Sequence, residues 1–319
     1  MKYSDKVIPP TPQGITRAAA ALADGALIGL PTETVYGLAA NANDGQAVAR
    51  IFDAKQRPRF NPLICHVSDM ARAKQIGIFS SAAAALAARF WPGPLTLVVP
   101  RRPDAPVHDL VTAGLDSIAL RVPAHPVARA VLAAFGGAIA APSANRSGRL
   151  SPTRPAHVIA DLGEAVALVL DGGPCKVGLE STIVEMADDG IRILRPGAVT
   201  EDMLAAATGR PILSNVNNDQ IKAPGQMASH YAPQAPVRLD AGSAKPGELL
   251  LGFGAVEGDL NLSPAGDLVE AAANLFAMLH QLDQRQPTAI AVAPIPNRGL
   301  GKAIHDRLIR AAAAKDLTS

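Results

Sequence analysis

Apolar and polar positions follow two different periods along this chain, and the switches between them mark out its elements. Residues 14–24 (GITRAAAALAD) place apolar side chains at helical spacing, and Ala26 to Leu30 form a continuous apolar strand that ends at Pro31. The same reading predicts a helix over 44–57, a strand over 62–67 (PLICHV) and an Ala-rich helix over 80–90, with Ser80 or Ser81 as its N-cap. PLTLVVP and SIALRVP read as strands, 126–135 as a helix, and AIAAPSAN, ALVLDGG, STIVEM and IRILRPG as further strands. Strands interleaved with helices over this length predict an α/β domain built on a mixed sheet.

The texture changes at 208–236, which is rich in Asn, Pro, Gly and Gln and carries little periodicity, as a linker does. Beyond it come a strand (ELLLGFG), a helix (267–285), a strand (AIAVAPIP) and a helix (301–314), the pattern of a small parallel α/β domain. The expected organisation is a first domain over 1–210, a linker or lid over 211–235, and a smaller Rossmann-like domain over 236–319.

Composition narrows the class. Aromatics are only 3% of the 319 residues, so the cores must be packed from Ala, Val, Leu and Ile. A net charge of +2 supplies no global basic field for nucleic acid, so any RNA contact must be a local patch. Cys65 and Cys175 lie far apart with no CxxC or His-rich neighbourhood, which argues against a disulfide framework and a Cys/His metal site. No run approaches the roughly 18 apolar residues of a membrane helix, and MKYSDKVIPPTPQG lacks an apolar signal stretch. The expectation is a soluble cytoplasmic protein.

Four stretches carry candidate chemistry. In PTETVYGLAANA (31–42) the hydroxyls of Thr32 and Thr34 stand at a strand end, where α/β sheets commonly bind ligands; a polar turn explains them as well. Arg50, Lys55, Arg57 and Arg59 face a single acid, Asp53, near a predicted helix end, either to meet a phosphate chain or to complement the helix dipole. Arg121 lies inside an apolar strand, where burial requires an anionic partner from the protein or from a substrate. Ser143 and Asn145 follow the strand AIAA and share a face only if that strand continues past Pro142, while the loop onward to Ser151 reads as an anion-binding turn or a plain hydrophilic loop. Ser181 follows Glu180 at a strand start, Arg195 closes a strand, and HYAP sits oddly within a linker. GFGAVEG and GGPCKVG fail as a dinucleotide fingerprint and a Walker A loop.

Each segment alone is weak, but their order is specific. PTETVYGL, KQRP with NPL, WPGPLTLV, TAGLDSIALRVPAHP, APSAN, GLESTIV, ILRPG and PGQMASHYAP together resemble the YrdC-like threonylcarbamoyl-AMP synthases in their long, two-domain form. The likeness covers about residues 10–210, and the linker motif with NRGLGKAIHDRL (297–308) extends it over nearly the whole chain. It implies a twisted mixed sheet with a concave, positively lined cavity shared by ATP and L-threonine. On that pattern Thr34, His66, Arg121, Ser181 and the Ala141 backbone hold L-threonine. Arg57, Asn61, Ser117, Ser143, Asn145, Ser151 and Arg195 hold ATP, with Tyr231 closing over the nucleotide and His230 beside it. Lys55 and Arg57 are the expected catalytic cations, and Mg²⁺ is expected to come with ATP. The implied reaction joins L-threonine, bicarbonate and ATP for threonylcarbamoyladenosine modification of tRNA, with a threonylcarbamoyl-transferase complex as a possible partner. Two rivals are a non-catalytic RNA-binding module and carbamoyl transfer of the hydrogenase-maturation kind. The second requires acylphosphatase and zinc-finger segments that this sequence lacks. The 211–235 segment is expected to be a lid that orders when ligands bind.

Overall fold

Short apolar strands separated by tight turns assemble here into two sheets of different character. The structure, a computed structural model, describes residues 3–213, 223–224 and 230–313; most of the expected lid, 214–222 and 225–229, lies outside the described residues. After a 3₁₀ turn at Tyr3–Lys6, the strands of the first sheet are β1 (Val7–Ile8), β2 (Ile28–Leu30), β3 (Gly37–Asn41), β4 (Ile64–His66), β5 (Leu95–Pro100), β6 (Ser117–Arg121), β7 (Ile139–Ala140), β8 (Leu168–Leu170), β9 (Thr182–Ala187), β10 (Gly190–Arg195) and β11 (Ile212–Leu213). They lie in the order β1-β8-β2-β3-β7-β4-β6-β5-β9-β10-β11, with parallel and antiparallel pairs mixed. Helices α1 (Pro12–Ala23), α2 (Gly45–Lys55), α3 (Met70–Lys74), α4 (Ser81–Phe90), α5 (Asp109–Thr112), α6 (Pro126–Phe135), α7 (Pro155–Leu162) and α8 (Glu201–Thr208) connect and cover them.

The second sheet is wholly parallel, ordered β12-β15-β13-β14 from β12 (Val237–Arg238), β13 (Glu248–Gly252), β14 (Leu260–Asn261) and β15 (Ala289–Val292). Helices α9 (Leu268–Asp283) and α10 (Leu300–Ala312) complete it. The expected helix over 126–135 and the N-cap at Ser80, whose hydroxyl accepts from the Ala83 amide at 3.2 Å, are both found. The pattern missed β1, β3, β11, β12, β14, α3, α5, α7 and α8, which are short or embedded in polar sequence.

Strand alternation sorts the central side chains. Cys65, Leu97, Leu120 and Val184 point into the main core, while Ile64, Val98, Ala119 and Ile183 form a thin apolar layer on the opposite face. His66 and Arg121, paired in register at the ends of β4 and β6, fall on that second face, and the cavity opens over it.

The two halves meet closely. Gly178 has φ +72, and a Cβ there would sit 2.5 Å from the carbonyl oxygens of Ala272 and Ala273 in α9. Only glycine tolerates both the backbone conformation and that approach. Nearby, His157 of α7 stacks on His280 of α9 with ring centroids 3.9 Å apart. His280 Nε2 lies 3.2 Å from the Ser151 carbonyl oxygen, and the Thr153 amide donates to His157 Nδ1 at 3.2 Å.

Gly178→Ala is expected to lower the thermal midpoint by about 2–8 °C, since the left-handed backbone alone costs roughly 1–2 kcal/mol for a residue with a Cβ. Differential scanning calorimetry checks this. Burial and the neighbouring His280 hold His157 down at about 3, below its ordinary 6.5. The unfolded chain therefore takes up the proton first, and stability present above pH 6.5 is lost as pH falls towards 3. Urea midpoints should decline below pH 6.5, and less steeply in His157→Gln.

Candidate functional site

The cavity is built from strand ends and the loops that leave them. Its walls include Thr32 and Thr34 before β3, Ile64 and His66 of β4, Arg121 of β6, and Ala141 to Ser143 after β7. Glu180, Ser181, Arg195, Arg57, His230 and Tyr231 complete it. A bulge in β10 between Ile193 and Arg195 shifts the register against β9, and Arg195 stands in the cavity wall. Gly197 lets the chain cross directly over the loop, since a Cβ there would lie 2.6 Å from the Glu180 carbonyl oxygen and 2.5 Å from the Thr182 amide.

Every buried Lys or Arg among the described residues is in or beside this cavity: Lys55, Arg57, Arg121, Arg195 and Arg307. Arg121 answers the question its burial posed. Its Nη2 donates to Glu33 Oε1 at 2.6 Å, Nη1 to Thr34 Oγ1 at 3.0 Å and Nε to the Gly93 carbonyl at 3.2 Å. Burial works against the Glu33 charge, but Arg121 outweighs it and holds the carboxyl below its usual range. The protein thus supplies one anion for Arg121, which still faces the cavity.

Arg57 follows Gln56, a helix cap at φ 51, and folds back on its own loop. It donates to the Asn61 carbonyl at 3.1 Å, to Asn61 Oδ1 at 2.6 Å and to the Pro62 carbonyl at 2.8 Å. Arg195 donates to the Ser181 carbonyl at 3.0 Å and to Ser181 Oγ at 3.2 Å, and Ser181 Oγ shares a hydrogen bond with Thr96 at 2.7 Å. Burial, with Arg195 nearby, pulls the Arg57 pKa down to about 9 and that of Arg195 also downward. Burial and Arg121 hold His66 at about 3, so its imidazole is neutral. Nδ1 of His66, Nδ1 of His230 and the Tyr231 hydroxyl are buried without a hydrogen-bond partner among the described residues. Such groups are costly unless a ligand meets them.

Several expected contacts move to a supporting position. Lys55 is not in the cavity wall: Nζ donates to the Ser143 carbonyl at 2.6 Å and to that of Asn145, clamping the loop behind Ser143. Asn61 orients Arg57, and Ser151 Oγ donates to Glu180 Oε1. The strand β7 stops at Ala140, so Ser143 and Asn145 do not share a strand face. Ser143 lines the cavity while Asn145 Nδ2 bonds the carbonyls of Arg146 and Arg149 at 2.8 and 2.9 Å. Ser117 is not brought to the wall at all; it begins β6, four residues or about 13 Å from Arg121 at its other end.

Sequence reasoning missed Glu33, Thr96 and Arg307. Glu33 was visible between two threonines after a buried strand, and Thr96 had no signal apart from its β5 neighbours. Arg307 did have one, because it interrupts the apolar stripe Ala303, Ile304, Leu308 and Ala311 of α10.

A family model described as "Telomere recombination" (Sua5, YciO and YrdC) matches residues 20–197, and one described as "Threonylcarbamoyl-AMP synthase, C-terminal domain" matches 199–313. A threonylcarbamoyl-AMP synthase of Bacillus subtilis is 39% identical, with 98% of this chain and 96% of the relative covered. One from Pyrococcus abyssi is 38% identical, with 92% of each chain covered. The crystal structure of P. abyssi Sua5 complexed with L-threonine superposes with a TM-score of 0.87 at 35% identity, covering 95% of both chains. The chain belongs to the threonylcarbamoyl-AMP synthase family and is an enzyme of the nucleotidyl-transfer type.

Proposed function

We propose that the protein joins L-threonine, bicarbonate and ATP into threonylcarbamoyl-AMP, releasing pyrophosphate, and that the product serves threonylcarbamoyladenosine modification of cytoplasmic tRNA. The observation that carries this reading is the set of buried cations with neutral partners. Among the described residues, Lys55, Arg57 and Arg195 hydrogen-bond only to carbonyl, amide and hydroxyl oxygens. Guanidinium groups so desolvated favour a polyanion over a neutral ligand. A triphosphate against Arg57 and Arg195, with Lys55 stiffening the Ser143 loop, supplies that charge.

L-Threonine belongs on the other side of the cavity, at Thr34, His66, Arg121, Ala141 and Ser181. The solved relative complexed with L-threonine supports this reading. Neutral His66 offers Nδ1 to a polar group of the amino acid, and Ala141 and Ile64 offer apolar contact. In the proposed reaction the amine condenses with bicarbonate to a carbamate, releasing water, and a carbamate oxygen then attacks the α-phosphorus as pyrophosphate leaves. The chain then works by positioning and charge stabilisation. Mg²⁺ is proposed to ride on phosphate oxygens, because no group of three His, Cys, Asp or Glu among the described residues is placed to hold a metal. Transfer of the product to tRNA falls to a partner enzyme in this reading, and no helix among the described residues is long and apolar enough to cross a membrane.

The decisive assay is pyrophosphate release from ATP by the purified chain, with and without L-threonine and bicarbonate. Release that needs both, with an AMP-linked product by mass spectrometry, is the expected result. No threonine-dependent release from folded protein, or salt-sensitive RNA binding without ATP consumption, would favour the RNA-binding alternative. Arg57→Ala is expected to lose about 10²–10³-fold in rate, or ~2.7–4 kcal/mol, while remaining folded by circular dichroism. A rate within threefold of wild type would remove Arg57 from the site.

A further inference from the structure

The cavity has a wall that the first sheet does not supply. Glu180, in the segment before β9, faces the cavity and is 4% exposed. Ser151 donates to one of its carboxylate oxygens, and Nε of Arg307 donates to the other at 2.9 Å. Arg307 comes from α10 of the second sheet and is itself only 1% exposed. Its Nη1 reaches Asp306 Oδ2 at 2.7 Å, and Arg310 Nε holds Asp306 Oδ1 at 2.9 Å.

The same guanidinium lies over the ring of Tyr231, with Cζ 5.1 Å from the ring centroid. On another side Phe276 of α9 approaches that ring, centroid to centroid, at 5.7 Å. The His230 amide donates to the Arg310 carbonyl at 3.3 Å, so α10 also fixes the backbone entering Tyr231. Tyr231 takes a left-handed backbone, φ 64, and its hydroxyl is buried without a partner among the described residues. A tyrosine held in this way needs neighbours that over-determine its position.

We propose that Arg307 is a positioning residue which the C-terminal half contributes to the nucleotide site: through Glu180 and the ring of Tyr231 it fixes the wall against which the nucleotide packs. This rests on the reading of the cavity as an ATP site. A pair needed only to join two halves of a protein is replaced at little cost by apolar side chains. Here, moreover, Nη2 of Arg307 is buried with no hydrogen bond among the described residues, a cost that a purely cohesive contact has no reason to carry. The planar guanidinium does two things that an apolar residue cannot. It neutralises Glu180, the one carboxylate of the cavity wall among the described residues, which would otherwise repel a triphosphate, and it lies over the aromatic ring.

The test uses the full-length chain in four forms: wild type, Arg307→Gln, Arg307→Lys and the double variant Glu180→Gln/Arg307→Gln. Melting temperature, calorimetric Kd for a non-hydrolysable ATP analogue, and calorimetric Kd for L-threonine are measured on each. Arg307→Gln leaves a buried carboxylate unpaired and is expected to lose both melting temperature and nucleotide affinity. The double variant removes that unpaired charge, so it should regain most of the melting temperature. Its nucleotide Kd should nevertheless stay about tenfold weaker than wild type, with the threonine Kd within twofold. Arg307→Lys, which keeps the charge and loses the plane, should fall between. A double variant with wild-type nucleotide Kd would make the pair structural and overturn the proposal, as would equal losses for both ligands. A wild-type chain that binds no nucleotide would instead overturn the reading of the cavity on which the proposal rests.

Discussion

Burying a cation away from water is expensive, and among the described residues this protein does it five times on and around one face of one sheet. Most of what is particular about the structure follows from how each of those charges is handled. Arg121 is met by Glu33, and Arg307 by Glu180 and Asp306. Lys55, Arg57 and Arg195 are met by carbonyl and amide oxygens, which orient a cation without neutralising it. The contrast separates cations that the fold neutralises from cations that it only orients. It also explains why the loops after α2 and β7 and the segment before β9 are held so tightly: their carbonyls are the acceptors.

The joint between the two halves is the second consequence. The loop that carries Glu180 and Ser181 is pinned from below by Gly197 and approached by α9 at Gly178. Arg307 reaches it from α10. A site wall made by two halves has a geometry that depends on both, and a family model for each half matches in sequence order along this chain. The C-terminal half thereby acquires a physical relation to the cavity although it carries no catalytic cluster of its own that the sequence revealed.

What could be read in advance divides along physical lines. Long apolar periodicity was legible: α6 was bounded to the residue, and α1, α4, α9 and α10 within one or two. Segments whose identity depends on long-range pairing were not. β3 lies in PTETVYGLAANA, whose polar opening reads as a turn, and only its pairing with β2 and β7 makes residues 37–41 a strand. Arg121 was recognisable as a buried charge in need of an anion, because an arginine within SIALRVP has no other explanation. That the anion is Glu33 depended on a contact 88 residues apart in the chain.

The sequence by itself determined the mixed α/β class, the parallel second sheet, and the ordered set of motifs that marks the family, since these rest on local periodicity and residue order. The tertiary structure alone decided which of the marked residues face the cavity and which stand behind them. Lys55, Asn61, Asn145 and Ser151 all proved to act on other protein groups, and Ser117 to lie at the far end of its strand. Arg307 shows the same limit from the other side. Its place on the apolar stripe of α10 was written in the sequence, but its partner, Glu180, lies 127 residues away. Spacing along a chain fixes which face a side chain takes; what waits on that face is set only when distant segments are packed together.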